Sequence, residues 1–438
     1  MRILIYGLNF YPEITGVGKY TSEMTAHLAE HDHYIKVITS YPYYPQWKIS
    51  QGYKGWKYTR ENWDPTDKNF SSESANGTKF SNNSINTITK IEVYRCPLWV
   101  PANPTGLKRI IHLLSFAISS LPVCLSQVFW KPDLVLCLAP TIIAAPAGLL
   151  TAFLCGAKTW LHIQDFEIGA AWSLGFLKSK NVLRNLVDGF FHAMMKRFDR
   201  VSTISNKMVD QVIAAGISKS KIILFPNWVD TSQIYFNSES DYYQKLLNIP
   251  RDDVVILFSG SMTRKQSLHI MIEAARKLIS ENNIHFVLCG EGQSRPELER
   301  LSAGLSNVHF LPLQPIEMLN HLLNTADIHL LPQLAASADL VMPSKLTAIL
   351  ASGRPVIATT NPDTEIGFLI QQAGLLIPPE NSAALAEGIL HLASHPEIRE
   401  KMGKQARIIA ENQFSRLKIM AVLDSSLYKL MNGEGSNA

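Results

Sequence analysis

The sequence has none of the CxxC, HExxH or DxD spacings and no paired histidine–cysteine ligand set, so no catalytic metal is expected. Cysteine is scarce. Cys96, Cys124, Cys137, Cys155 and Cys289 mostly sit in apolar runs, which reads as reduced core thiols rather than a disulfide framework. Charge is thin as well: charged residues make up 18% of the 438, and a net charge of +4 is too small to argue for nucleic acid. It is compatible with weak attraction to anionic lipid where Lys and Arg cluster. The chain opens Met1-Arg2-Ile3-Leu4-Ile5-Tyr6-Gly7, straight into a strand pattern with no secretion-signal regions, so a cytoplasmic setting is expected.

Apolar residues, at 46%, are plentiful, and the length favours two α/β domains over one core. Buried-strand patterns run from Arg2 to Tyr6 and Tyr34 to Thr39, with an amphipathic helix from Thr21 to Glu30 between them. Leu134 to Leu138, Thr159 to Ile163 and Arg200 to Ile204 continue this doubly wound sheet. The series restarts at Val254 to Ser259, followed by a helix from Leu268 to Ser280. The strands His285 to Cys289, Val308 to Leu311, Ile328 to Leu331 and Pro355 to Thr359 complete it. The expected division is a Rossmann-like domain over 1–226, a second over 227–412, and a helix in 413–438 that packs back on the first. Asn62 to Thr89 is dense in Asn, Ser, Thr and Asp and is read as a flexible surface insertion, with an acceptor-gripping loop as the alternative. Ile110 to Trp130 approaches the length of a membrane span, but polar residues interrupt it and Pro122 is expected to break or kink a helix there. Together with Thr141 to Cys155 it reads either as buried Rossmann helices or as an interfacial pair, preceded by Lys108 and Arg109, that seats the first domain on a membrane.

Glycine loops after strands carry the chemistry. Gly16 and Gly18 follow the first strand, in Thr15-Gly16-Val17-Gly18-Lys19, and open a helix, which suits a backbone approach to an anionic ligand or a plain tight turn. The spacing is not GxGxxG, and no acidic ribose-binding residue ends the second strand, so a dinucleotide cofactor is disfavoured. His162 and Asp165 end a strand where α/β sheets place ligands: His162 to face a sugar hydroxyl or a reacting carbon, Asp165 to accept from hydroxyls. Gly260, Arg264 and Lys265 follow the first strand of the second domain and read as a diphosphate cradle, against a bland alternative of a solvated basic pair. Ser344 and Lys345, in Met342-Pro343-Ser344-Lys345-Leu346, offer a second cationic helix start. Gly290-Glu291-Gly292 is one more strand-end loop, expected near a base or ribose.

Taken together, these motifs resemble the retaining GT-B glycosyltransferases of family 4, and within them the colanic acid fucosyltransferase type. Carrying the resemblance are Tyr11 to Thr21, Pro42 to Trp47, Arg95 to Leu98, Leu161 to Asp165, Ser202 to Ser205, Phe225 to Trp228, Ser259 to Gln266 and Pro343 to Thr347. It implies two Rossmann-like domains facing a cleft, with no cofactor beyond a nucleotide-sugar substrate, GDP- or UDP-linked, and a polyprenyl-diphosphate-linked saccharide acceptor at the inner membrane face. It also implies that Gly16 and Gly18 lie under donor phosphate or acceptor, that His162 touches the donor sugar, and that Lys265 with Arg264 holds the diphosphate. Ser344 and Lys345 would line the phosphate and ribose side, Leu313 the base, and Asp165 and Lys19 the acceptor or sugar. Two departures stand out. Ser261 replaces the family's arginine after Gly260, with Arg264 as the substitute charge. Leu340 and Ala348 replace a pair of glutamates, leaving Asp339 as a neighbouring carboxylate for ribose or sugar. A nucleotide-sugar 2-epimerase of the same architecture and a non-catalytic sugar-nucleotide sensor are the alternative readings.

Overall fold

The computed structural model describes residues 1–13, 16–66, 91–102, 104, 106–140, 142–165, 181–334 and 343–434, with only the backbone for 181–187 and Lys265. Most of the polar tract and Asp339 fall outside the described residues. The chain forms two compact units, Met1–Phe225 with Val422–Ala438, and Pro226–Ala421.

In the first unit, eight strands form one sheet: β1 (Arg2–Tyr6), β2 (Tyr34–Ser40), β3 (Thr59–Asn62), β4 (Ile91–Cys96), β5 (Leu134–Ala139), β6 (Lys158–Ile163), β7 (Arg200–Thr203) and β8 (Ile222–Leu224), in the order β3-β4-β2-β1-β5-β6-β7-β8. All pairings are parallel except β3 on β4. Strand β5 is apolar at all six positions and wholly buried, as expected of a strand covered on both faces, and β1 is buried from Ile3 to Tyr6. Helices α1 (Gly16–Glu30), α2 (Gly106–Ser126) and α3 (Ala145–Cys155) belong to this unit.

Three expectations change here. Helix α1 starts at Gly16 rather than Thr21. The polar tract does not begin at Asn62: that residue ends β3, and Trp63 is buried edge-on to Phe10 and stacked on Tyr11. Pro122 does not break α2, which runs through it to Ser126. Pro122 leaves the Ile118 carbonyl without its helical donor, and beside it the Ser119 carbonyl accepts from Tyr58 Oη at 2.8 Å.

The second unit holds β9 (Val254–Ser259), β10 (Ile284–Cys289), β11 (Val308–Leu311), β12 (Ile328–Pro332), β13 (Val356–Thr359) and β14 (Gly374–Ile377), all parallel, in the order β11-β10-β9-β12-β13-β14. In rank order this is 3-2-1-4-5-6, the doubly wound arrangement whose ligands sit beyond the carboxyl ends of the strands where the winding reverses, here between β9 and β12. Helix α4 (Ser344–Ala351) follows β12, and α5 (Arg416–Met431) carries the chain back into the first unit from Val422 onward.

Candidate functional site

In the second unit the reversal point gathers Gly260, Gln266, Phe258 and Lys345. Lys345 is the second residue of α4, and its side chain turns back toward β9. Its Nζ donates to Gln266 Oε1 at 2.9 Å and lies 3.9 Å from the centre of the Phe258 ring. Part of the residue reaches the surface, yet the ammonium is surrounded by protein, and burial lowers its pKa from the ordinary lysine value to about 7. Among the described residues no carboxylate lies against it. Gly260 has φ +134, and a Cβ there would stand 3.7 Å from Lys345 Nζ, so the cation and the glycine backbone share one spot. The first N–H groups of α4 have no intrahelical acceptor and add partial positive charge. An enclosed cation, a bare glycine backbone and a helix start together suit an anion bearing several oxygens.

Arg264 is exposed on a 3-10 turn, Arg264–Gln266, that precedes the helix His269–Lys277, so the two predicted cations lie on the approach to that helix rather than in its first turn. Ser267, just after it, is 2% exposed with φ +45, and among the described residues its hydroxyl meets no partner, so a ligand oxygen can supply one. Gly290 and Gly292 have a structural reason different from the expected one. A Cβ on Gly290 would lie 2.0 Å from the Gly260 carbonyl, and one on Gly292 2.2 Å from that of Met262. They let the β10 loop lie on the β9 loop, a contact held by Gly260 N–H to Cys289 O at 2.9 Å and Met262 N–H to Glu291 O at 2.8 Å. Glu291 is paired with Arg295 at 2.7 Å. Ser344 and Leu313 are exposed, at the start of α4 and after β11.

In the first unit His162 ends β6, 2% exposed. Its Nδ1 lies 2.9 Å from Ser202 Oγ, which also takes the indole N–H of Trp160 at 2.8 Å. The indole can only donate, so the serine hydrogen is free to go to Nδ1, an arrangement that fits a tautomer with the ring hydrogen on Nε2. Burial, partly offset by the serine, drops the His162 pKa to about 3, so the ring is a neutral donor at any working pH. Gly16 opens α1 with φ +59 and open space beyond it except the Tyr44 ring. Gly18 is buried, and a Cβ there would strike Glu13 at 2.7 Å; this glycine makes room for a carboxylate rather than for a ligand.

Glu13 is the residue that sequence reasoning missed most plainly. It is buried and accepts from the N–H groups of Tyr43 and Tyr44, each at 2.9 Å, and from Asn9 Nδ2 at 2.8 Å. Arg95, buried at the end of β4, pairs with Glu61 at 2.6 Å and donates to the Tyr11 and Ser40 carbonyls. These groups tie the loops after β1 and β2 to each other and to strands β3 and β4 beside the glycine turn. The Tyr44 phenol, raised in pKa by burial, feels Arg109, Glu13 and Asp165, so these charges collect at one rim. Lys19 lies 3.9 Å from Glu23 and over the Tyr20 ring.

The profile described as glycosyl transferases group 1 matches residues 253–395, and that of the glycosyl transferase 4-like domain matches 15–228. The putative colanic acid biosynthesis glycosyl transferase WcaI of Escherichia coli is 38% identical over 89% of this chain and 91% of its own length. The chain is a family 4 glycosyltransferase. A D-inositol 3-phosphate glycosyltransferase of Corynebacterium urealyticum is 30% identical over 37% of the chain and 40% of its own. Among solved structures, sucrose-phosphate synthase of Thermosynechococcus elongatus superimposes with TM-score 0.71 at 14% identity over 99% of this chain and 100% of that one. HepE of Anabaena, solved with UDP, gives 0.65 at 15% identity over 98% and 100%. These place the transferase in the GT-B fold.

Proposed function

We propose that this glycosyltransferase moves a sugar, with retention and without a metal, from a nucleoside-diphosphate donor to a lipid-linked saccharide in the assembly of a colanic-acid-like exopolysaccharide. The observation that carries the reading is Lys345, an enclosed cation with no carboxylate against it among the described residues, set against Gly260 at the reversal point of the second sheet. Departure of the nucleoside diphosphate breaks the C1–oxygen bond, and the phosphate oxygen keeps the electron pair. Lys345, Lys265, Arg264 and the start of α4 stabilise that growing charge. The acceptor hydroxyl attacks the same face of C1, and its proton passes to the departing phosphate oxygen. His162, neutral and carrying its hydrogen on Nε2, donates to a saccharide hydroxyl. Resemblance to the fucosyltransferase type favours GDP-fucose.

The acceptor reading rests on the first unit. On α2 the residues Leu107, Ile111, Leu114, Ile118 and Leu121 are all exposed, a stripe at helical spacing, while His112, Leu113, Phe116, Ser120 and Cys124 face the core. Phe129 and, on α3, Leu150, Phe153 and Leu154 extend the exposed apolar surface. Water opposes such a surface, and the headgroup boundary of an anionic bilayer accepts it, with Lys108 and Arg109 at its basic end. An inner-membrane lipid surface is therefore the occupant proposed for this face, beside the rim where Arg109 would meet an acceptor diphosphate and Asp165 would accept from a saccharide hydroxyl.

Calorimetry of GDP and UDP with the full chain in EDTA tests the donor site. Wild type is expected to bind, and Lys345→Met to bind about ten- to a hundredfold more weakly, the worth of one charged contact. Equal affinity in the two proteins would remove the basis of the reading.

A further inference from the structure

At the amino edge of the first sheet, away from the strand ends that carry His162, the last turn of α1 presents His27, His31 follows one turn on just past the helix end, and Asp424 reaches them from α5. Both carboxylate oxygens of Asp424 lie 3.0 Å from His27 Nε2. The two imidazole rings are 4.2 Å apart, and one ligand atom from each of the three residues falls within 4.8 Å of the others. His31 Nδ1 donates to the His27 carbonyl at 2.8 Å, which leaves its Nε2 lone pair outward. A back-side bond of this kind is what orients metal-ligating histidines.

We infer that His27, His31 and Asp424 bind a divalent late first-row cation, Zn2+ in the first instance, and that the ion pins the returning chain to α1. Two imidazoles and one carboxylate match the ligand preference of that class, and small rotamer shifts bring the three atoms to bonding distance of one centre. The ion takes the place of the hydrogen between His27 Nε2 and Asp424: a neutral ring then carries its hydrogen on Nδ1, and a doubly protonated ring releases one to water. The side chains are 12% and 38% exposed, which leaves a path for the ion and for water as the fourth ligand. Another part of the chain supplies a control. His391 and His395 repeat the spacing, with rings 4.7 Å apart and His395 Nδ1 donating to the His391 carbonyl at 2.7 Å, yet among the described residues they gather no third ligand.

The test uses the full chain, stripped with a chelator and then titrated with Zn2+ alone or Co2+ alone. The expected result is one ion per chain, a four-coordinate ligand-field spectrum with Co2+, and a Zn2+-dependent rise in melting temperature. His31→Ala, an exposed position where folding is not at stake, and Asp424→Asn are each expected to weaken binding at least about tenfold. His395→Ala is expected to leave it unchanged. Absence of binding, equal affinity in His31→Ala, or loss of the ion in His395→Ala would each overturn the site.

Discussion

A lysine ammonium resting on a phenylalanine ring, with one amide oxygen for a partner among the described residues, destabilises the unliganded protein. Its pKa falls from 10.5 to about 7, so the unfolded chain holds this proton up to the ordinary value while the folded protein releases it near neutrality. The cost of burying the charge is therefore full below about pH 7 and disappears as the pH rises toward 10.5. Lys345→Met is expected to raise the melting temperature of the unliganded protein at pH 6, with the gain fading by pH 9. Wild-type affinity for a nucleoside diphosphate is expected to fall about tenfold per pH unit above 7, because only the charged lysine binds well. Calorimetry across that range checks the slope; a flat profile would remove Lys345 from the site. At this scale the sequence exposed Lys345, Gly260 and His162 through their places after strands. It could not expose Glu13, Ser202, Gln266 or Phe258 as partners, because the distances that give them meaning exist only after folding.

Elements add a test of why the glycines are there. Gly290→Ala places a methyl group against the Gly260 carbonyl at φ +139, so it is expected to destabilise the second unit by about 3 kcal/mol or more and to weaken diphosphate binding with it. Gly156→Ala, left-handed at φ +68 but with open space around it, is expected to cost only about 1–2 kcal/mol, as urea unfolding of the two variants would show. The α2 stripe makes a separate prediction. Ile118→Asp with Phe153→Asp is expected to reduce co-sedimentation with anionic vesicles severalfold while leaving circular dichroism unchanged; retained binding would argue against a lipid seat. The central strands were legible because two-sided burial gives them long apolar runs, Ile3 to Tyr6, Leu134 to Ala139 and Val254 to Phe258. Strand β4 was not, since its IEVYRC alternates polar and apolar residues beside a polar tract, and β8 and β14 are only three and four residues long. Helix α2 was readable as apolar, but which side of it faces the core appears only in the packing.

For the molecule as a whole, three buried histidines bear on acid stability. Burial lowers the pKa of His112 to about 4 and those of His162 and His329 to about 3, so below pH 6.5 the unfolded chain takes up protons that the native protein refuses. Each such group lowers stability by about 1.4 kcal/mol per pH unit in that window. The melting temperature is expected to drop steeply from pH 6.5 to 4.5, and His329→Gln to flatten the slope. The two-sheet plan followed from the repeated strand series, while the meeting of His27 with Asp424 is a contact across almost the whole sequence that no local pattern announces. The most direct measurement is sugar transfer itself: GDP-fucose, GDP-mannose, UDP-glucose and UDP-GlcNAc, each given with EDTA to the full chain and a membrane lipid extract. The account predicts that one donor, GDP-fucose first, labels the lipid fraction in EDTA and releases its nucleoside diphosphate. No transfer from any of them in EDTA by a chain that circular dichroism shows to be folded, or an epimer formed without acceptor, would contradict it.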